Sequence, residues 1–409
     1  MKETDKTVMV IAGGTWQVPL IKKIKGMGYK VLNSNLYEDS PGFAFSDYTA
    51  VADVKDKEKN LEIAEKYKVN AVLTDQSDIA VPTVAYVAEK LGCHTIGEEM
   101  AALFTNKFKM RKFCQEKGFA IPEYRLCYTK EDAKEFLRDL KKNIVIKPLD
   151  SQSSRGVFTI HTEEELDRYF SISESYSNQG KGVLAERYIV GTEFTIDGII
   201  NKGIHHSLAI SQKSHFDYNP NIASKLFFSY DNENFDYDQL RRQNDQLVES
   251  TGLKFGLTHG EYKYENGKFY LIEIAARGGG TRIASDIVPF LSGVDTYELL
   301  VKNALGESEE VDYSAIEKNK KRCAVLEFLD VESNGKKIKS ISGLEQIRKI
   351  KEVREIQLEF KVGDIVEKAQ DDRSRAGFFI VCGESREKTQ DVCNQIKKIL
   401  DIEYDLSES

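Results

Sequence analysis

Glu261 and Glu273 stand in two short apolar stretches, Thr258-His259-Gly260-Glu261-Tyr262 and Leu271-Ile272-Glu273-Ile274, joined through Glu265-Asn266-Gly267. The pattern predicts a β-hairpin. A two-residue turn at Asn266-Gly267 would set Glu261 opposite Ile272 and throw Glu273 to the other face, because side chains alternate along a strand. A three-residue loop, with Tyr264 opposite Lys268 and a bulge at Gly267, returns both carboxylates to one face. An anionic pair flanked by apolar residues is costly unless it binds a cation, and one or two carboxylates plus phosphates are the donors magnesium takes. The pair therefore points to metal-assisted chemistry on a phosphate.

Other residues fit the same chemistry. Lys107 follows Asn106, and Lys147 closes the apolar run Ile144-Val145-Ile146. A lysine at a strand end can set its ammonium on phosphate oxygens while its stem packs on the sheet. The polar loop Asp150-Ser151-Gln152-Ser153-Ser154-Arg155-Gly156-Val157 has small side chains that let backbone N–H groups turn toward anionic oxygens. The segment from Ala185 to Gly198 reads as strand, crossing segment and strand, and such a crossing segment can offer backbone edges to a purine. After Glu273 comes Ile274-Ala275-Ala276-Arg277-Gly278-Gly279-Gly280-Thr281-Arg282. Its glycines, Gly279 among them, let a ligand approach the backbone, and Arg277 or Arg282 can take a carboxylate or phosphate in bidentate fashion.

These residues need a scaffold of several units. The first hundred residues alternate short apolar runs with amphipathic stretches, the βα rhythm of a parallel sheet. Gly13-Gly14-Thr15 after the first strand is either a tight turn or a substrate loop, and no GxGxxG fingerprint accompanies it. An amphipathic helix from Thr105 to Lys117 ends at Gly118. From Tyr124 to about Ala276 the pattern changes to strands with hairpins, and a further unit begins near Lys321. We expect an N-terminal parallel-sheet α/β domain at 1–104, a central α+β pair at 105–320 and a small C-terminal subdomain at 321–409. The central part divides into a lid at about 124–190 and a metal-binding portion at about 191–320.

Composition bounds the function. The chain has 409 residues, 41% hydrophobic and 30% charged, as expected of a packed globular protein. A net charge of -8 with no long basic run argues against nucleic acid as a partner. No apolar run reaches the length of a membrane span, and the charged start carries no export signal, so a cytoplasmic location is expected and no membrane partner. Six scattered cysteines without a CxxC pair predict reduced thiols, with neither a disulfide framework nor a zinc site.

Taken together, and in this order along residues 8 to 300, the pieces resemble the ATP-grasp superfamily, in the branch near biotin carboxylase, the purine-pathway carboxylases and formyltransferases, and the dipeptide-forming L-amino acid ligases. The resemblance implies ATP and Mg2+ as cofactors, with Mn2+ as an alternative metal. It places Lys107 and Lys147 on the ATP phosphates, and Ser151 to Gly156, including Ser153 and Ser154, in the loop that closes over them. It puts Glu186, Tyr188 and Ile189 at the adenine edge, Glu193 on the ribose, Glu261 and Glu273 on magnesium, and Arg277 on the acyl phosphate. Arg277 and Lys147 are then the catalytic residues, and Arg277, Gly279 and Arg282 the substrate-binding set. Two departures stand out: the phosphate loop has a single glycine, Gly156, and Ala275 replaces a metal-binding asparagine of many members, as it does in the purine branch. Asp372-Arg373-Ser374-Arg375-Ala376-Gly377 is similar to part of the small final subdomain.

The implied reaction joins a small-molecule carboxylate to an amine through an acyl phosphate, with release of ADP and phosphate and room for a homodimer. A carboxylase or formate-dependent formyltransferase of the purine type is one alternative, and a nucleotide-binding module without catalysis is another. The latter is disfavoured because both metal carboxylates and Arg277 are present.

Overall fold

The computed structural model describes residues 5–151, 154–177, 181–307 and 310–405. Its first unit is a four-stranded parallel sheet of β1 (Thr7–Ile11), β2 (Lys30–Asn35), β3 (Tyr48–Val51) and β4 (Ala71–Leu73), in the order β3-β2-β1-β4. β1 is buried along its whole length, as a central parallel strand must be: Val8 and Val10 pack with Leu20 and Ile24 of the helix Val18–Gly26, and Met9 and Ile11 pack on the opposite side with Val72 and Val87.

The predicted helix from Thr105 is two helices, Glu98–Thr105 and Lys107–Lys117, broken at Asn106. The Asn106 backbone is extended, and its side-chain oxygen accepts the N–H of Lys109 at 3.0 Å, so it caps the second helix. Lys107 thereby falls in the first turn. Gly118, in the left-handed conformation, ends the helix as the sequence predicts.

The segment expected to be a lid holds an antiparallel sheet of β5 (Tyr124–Cys127), β6 (Ile144–Lys147), β7 (Phe158–Ile160) and β8 (Val183–Arg187), ordered β5-β8-β6-β7. Helices Lys130–Leu140 and Glu163–Ser175 cover it, each started by a threonine capping box, Thr129 with Asp132 and Thr162 with Glu165. Phe136, Ile144, Ile146 and Phe170 form its separate core.

The largest element is an eight-stranded antiparallel sheet. It contains β9 (Thr192–Asn201), β10 (Ile204–Phe216), β11 (Asn219–Ser229), β12 (Gly256–Glu265) and β13 (Lys268–Ala275), then β14 (Cys323–Phe328), β16 (Val353–Leu358) and β17 (Gly377–Gly383). A two-stranded ribbon is made by β15 (Ile338–Ser342) and β18 (Asp401–Tyr404). The order β13-β12-β9-β10-β11-β14-β17-β16 runs without a break from the expected metal hairpin into the C-terminal strands.

The hairpin corrects one expectation. Glu265 pairs with Lys268 across a two-residue turn whose Asn266 and Gly267 both have positive φ, 50° and 83°, as a type I′ turn requires. The bulge is not at Gly267. Tyr262 pairs with Leu271 and Glu261 with Glu273, so Ile272 is the extra residue, and its displacement turns Glu273 to the face of Glu261.

All six cysteines are free thiols, five of them buried. Among the described residues no helix is long and apolar enough to cross a membrane.

Candidate functional site

A cavity of about 530 Å³ opens where the N-terminal sheet, the large sheet and the C-terminal strands converge. Its floor carries Glu261, Glu273 and Arg277, and Trp16 and Asp78 reach it from the first unit. Phe328 and Phe378 enter from the C-terminal strands, and Arg375 from the segment just before β17. The Gly13-Gly14 segment works as a tight turn that presents Trp16: Gly14 N–H donates to Gln17 Oε1 at 2.9 Å, and a Cβ on Gly13 would come within 2.3 Å of the Asn33 side chain.

Each member of the carboxylate pair faces a cation. Lys107 Nζ lies 2.8 Å from Glu273 Oε1 and 2.7 Å from the carbonyl oxygen of Ser151. Lys213 Nζ lies 3.2 Å from Glu261 Oε1, and His259 Nε2 lies 3.8 Å from the same oxygen. Burial pushes the Glu261 carboxyl up, but Lys213 and His259 outweigh it and hold it well below the usual range. His259 is itself set by Asp197, 2.9 Å from Nδ1. Burial alone would lower this imidazole, yet the Asp197 carboxylate raises it to about 9, so it is an imidazolium at neutral pH.

Lys147 ends β6 as expected, and it is almost fully buried. Its Nζ is 2.5 Å from Glu186 Oε2, and Arg111 Nε is 2.5 Å from Glu186 Oε1. Desolvation lowers the lysine, while for Glu186 the two cations outweigh burial and hold the acid below its ordinary range. Both Glu186 oxygens are thus occupied within the protein. Arg111 also donates from Nη2 to the carbonyl oxygen of Ile272 at 2.5 Å, taking the acceptor that the bulge frees from the ladder.

Glu193 meets Lys213 in an ion pair, with His215 Nε2 3.4 Å away; burial would raise it, but the lysine charge brings it down to about 2. Lys263 Nζ sits 4.6 Å over the Tyr188 ring. Tyr188 N–H donates to Asn143 O at 2.9 Å, and Ile189 is buried. The crossing segment then passes so close to the hairpin that a Cβ on Gly191, at φ 148°, would lie 2.0 Å from Tyr264 O. Only glycine fits there.

Arg277 is clamped. Nε and Nη2 bond the two oxygens of Asp78 at 3.0 and 2.8 Å, and Nη1 donates to Gly278 O at 2.9 Å. The following glycines divide in use. Gly278 N–H donates to Asp75 Oδ1 at 2.7 Å and Gly279 N–H to Asp197 Oδ1 at 3.1 Å, and an added Cβ would lie within 2.4 and 2.6 Å of neighbouring atoms at these two positions. Gly280 alone is open and borders the cavity. The structure does not bring Arg282 to this group: both of its nitrogens on one edge bond Asp286 at 3.0 Å, and it also meets Glu355. Ser154 borders the cavity, whereas Ser153 lies outside the described residues.

Sequence reasoning missed Arg111, Asp78, Asp75, Asp197 and Lys213, whose partners are far away along the chain. His259 was within reach, since alternation places it on the Glu261 face. Among the described residues no group of three or more His, Cys, Asp or Glu side chains is arranged to hold a metal, and the donors expected from the sequence, Glu261 and Glu273, are two carboxylates. That fits magnesium sharing its shell with phosphates and water, and does not fit a closed all-protein cage.

Comparison with known proteins identifies two domains of the chain. Residues 140–286 match the ATP-grasp domain family, and residues 327–405 match the L-amino acid ligase C-terminal domain 2. Over 192 residues the chain is 23% identical to a formate-dependent phosphoribosylglycinamide formyltransferase of Marinobacter nauticus, covering 46% of this chain and 49% of that protein. Over 217 residues it is 25% identical to dapdiamide A synthase of Enterobacter agglomerans, covering 52% of this chain and 48% of that protein. The alignments thus span about half the length of these relatives. The crystal structure of an L-amino acid ligase from Bacillus licheniformis superposes with a TM-score of 0.78 at 22% identity, over 99% of this chain and 100% of that one, and shares its fold. The chain contains an ATP-grasp domain at residues 140–286 and an L-amino acid ligase C-terminal domain 2 at residues 327–405.

Proposed function

We propose that this chain is an ATP- and magnesium-dependent ligase that activates a small-molecule carboxylate as an acyl phosphate and couples it to an amine, releasing ADP and phosphate. The observation that carries the reading is the cross-strand pair of Glu261 and Glu273 on the floor of the same cavity as the clamped Arg277. Magnesium bound by this pair and by phosphate oxygens would supply charge neutralisation for phosphoryl transfer. The rest falls to the chain. Lys107 and Lys147 bind phosphate oxygens, Tyr188 and Ile189 border the adenine, and Glu193 takes the ribose hydroxyls. Glu186 acts behind them by holding Lys147.

Arg277 presents a guanidinium whose orientation Asp78 fixes in advance, so little reorganisation is needed as charge develops on the transferring phosphoryl group. The carboxylate attacks the terminal phosphorus, the bond to ADP breaks, and amine attack on the acyl carbon then expels phosphate. The loop around Ser154 excludes water while the acyl phosphate exists. Domain roles follow the same reading: a lid over ATP at about 124–190, and a cavity wall supplied by the part after 321.

The test is product stoichiometry. Purified protein screened against paired acids and amines should release ADP and phosphate in equal amounts, and hydroxylamine should trap the acid as a hydroxamate. AMP and pyrophosphate as products would overturn the mechanism.

A further inference from the structure

Thr281 and Arg282 follow the triglycine with φ of 49° and 63°, so two successive residues other than glycine stand in the left-handed region. For a β-branched threonine that conformation is an outlier, and it persists only where the surroundings over-determine it. Packing does not do so here. Gly280, Thr281 and Ile283 border the cavity that holds the carboxylate pair, whereas Arg282, Ser285 and Asp286 line a second cavity of about 480 Å³, so the turn is a wall between two cavities. The next residues, Ile283–Ile287, form one turn of π-helix, with Val288 N–H donating to Ile283 O. Such turns are rare and cluster at functional sites.

Ion pairs hold the strained turn instead. Arg282 Nε and Nη2 bond the two oxygens of Asp286 at 3.0 Å each, and Nη1 meets Glu355. Glu355 comes from β16, the edge strand on the C-terminal side of the large sheet, where Val353 pairs with Val381 and Glu355 with Ile380. Arg354 is thus the extra residue of a bulge, and the bulge re-aims Glu355. We propose that Arg282 is a positioning residue: gripped by Asp286 and by Glu355, it fixes the Thr281-Arg282 turn as a wall of the cavity beside Arg277. The planar fork suits this task, because Asp286 takes one edge of the guanidinium while the remaining nitrogen reaches the C-terminal strand. The C-terminal portion then acts on the cavity through a residue of the ATP-grasp domain. The inference rests on the ligase reading for its effect on rate, and stands apart from it in its effect on the turn.

Two substitutions separate holding the turn from touching the substrate. Both Arg282→Gln and Arg282→Asn lose the guanidinium, but asparagine tolerates the left-handed conformation and glutamine does not. In hydroxamate formation from ATP and an accepted acid, Arg282→Gln should lower the maximal rate about tenfold or more and change the ATP KM less than about twofold, whereas Arg282→Asn should stay within about threefold of wild type. Amide hydrogen exchange of residues 278–287, followed in the whole protein with MgADP, should speed up about tenfold in Arg282→Gln and little in Arg282→Asn. Glu355→Gln should follow Arg282→Gln in both readouts with smaller changes. Should Arg282→Gln fail to fold, Arg282→Lys replaces it and is expected to be slower than Arg282→Asn. Equal losses in the two variants with a raised KM for the acid would make Arg282 a substrate contact and overturn the proposal. Wild-type rate and exchange in Arg282→Gln would overturn it as well. Faster exchange in Arg282→Gln alone, in a protein that forms no hydroxamate from any acid, would uphold the hold on the turn and count against the ligase reading instead.

Discussion

Arg111 donates a hydrogen bond to the carbonyl oxygen of Ile272, the residue whose exclusion from the ladder brings Glu273 opposite Glu261. The same guanidinium grips Glu186, and Glu186 grips Lys147. One buried chain of polar contacts therefore links Lys147, at the end of β6, to the proposed metal pair. Arg111→Met should leave Glu186 short of a partner and the bulge carbonyl without its donor. A loss of about 3–5 kcal/mol in urea denaturation is expected, as for a broken buried ion pair, with turnover reduced more than the folded fraction accounts for. A variant as stable and as active as wild type would remove Arg111 from this role.

Glu261→Gln and Glu273→Gln should each abolish turnover while circular dichroism reports an intact fold, because each deletes a charge whose use is to balance a cation. Losing a metal contact should raise the barrier by several kcal/mol. More than about a tenth of the wild-type rate of ADP release in both variants would argue against the metal assignment.

Lys147→Ala should weaken ATP binding and cost stability, since it strands Glu186 inside the protein. Lys141→Ala and Lys142→Ala, on the exposed turn before β6, should do neither. Equal effects on the ATP requirement at all three positions would point to general electrostatics.

Arg277→Lys keeps the charge but loses the fork that Asp78 holds. ATP affinity should change little, while product formation falls about a hundredfold, the pattern of a contact made mainly in the transition state. Asp78→Asn should follow with a smaller loss, because it frees the guanidinium without removing it. If Asp78→Asn had no effect on the rate, the clamp would be structural only.

His259 should make stability fall with rising pH. Its pKa is raised in the folded protein, so the contribution is complete below the unfolded value near 6.5 and is lost as pH rises toward the folded value of about 9. The size is at most about 3 kcal/mol at this buried site. Chemical denaturation at pH 6, 7.5 and 9 should show the decline in wild type and a flatter curve in Asp197→Asn. Parallel curves would mean that Asp197 does not charge the imidazole.

The hairpin with its two carboxylates, the strand ending at Lys147 and the stop at Gly118 were legible because they are written in local alternation and turn chemistry. The location of the bulge was not. Asn266-Gly267 demanded a two-residue turn, and a pairing argument alone moved the irregularity to the turn, whereas the structure places it at Ile272, where Arg111 can satisfy the freed carbonyl. The triglycine was read as room for a ligand, but Gly278 and Gly279 are small because Asp75 and Asp197 pack against their backbone. Such contacts join residues more than eighty positions apart, and no local pattern announces them. Arg282 looked like Arg277 in sequence and differs in which acids lie within reach, Asp286 and Glu355 against Asp78.

The pairing of β14 with β11, Leu226 with Leu326 and Phe228 with Ala324 among its rungs, has a consequence for dissection of the chain. A fragment ending near residue 320 would retain every proposed nucleotide and metal residue and still expose the bare edge of β11 in a sheet now five strands wide. Unpaired N–H and C=O groups along such an edge recruit other chains. Expression of the catalytic portion alone should yield aggregate, and the last ninety residues are better regarded as the sheet's selvedge than as a detachable accessory.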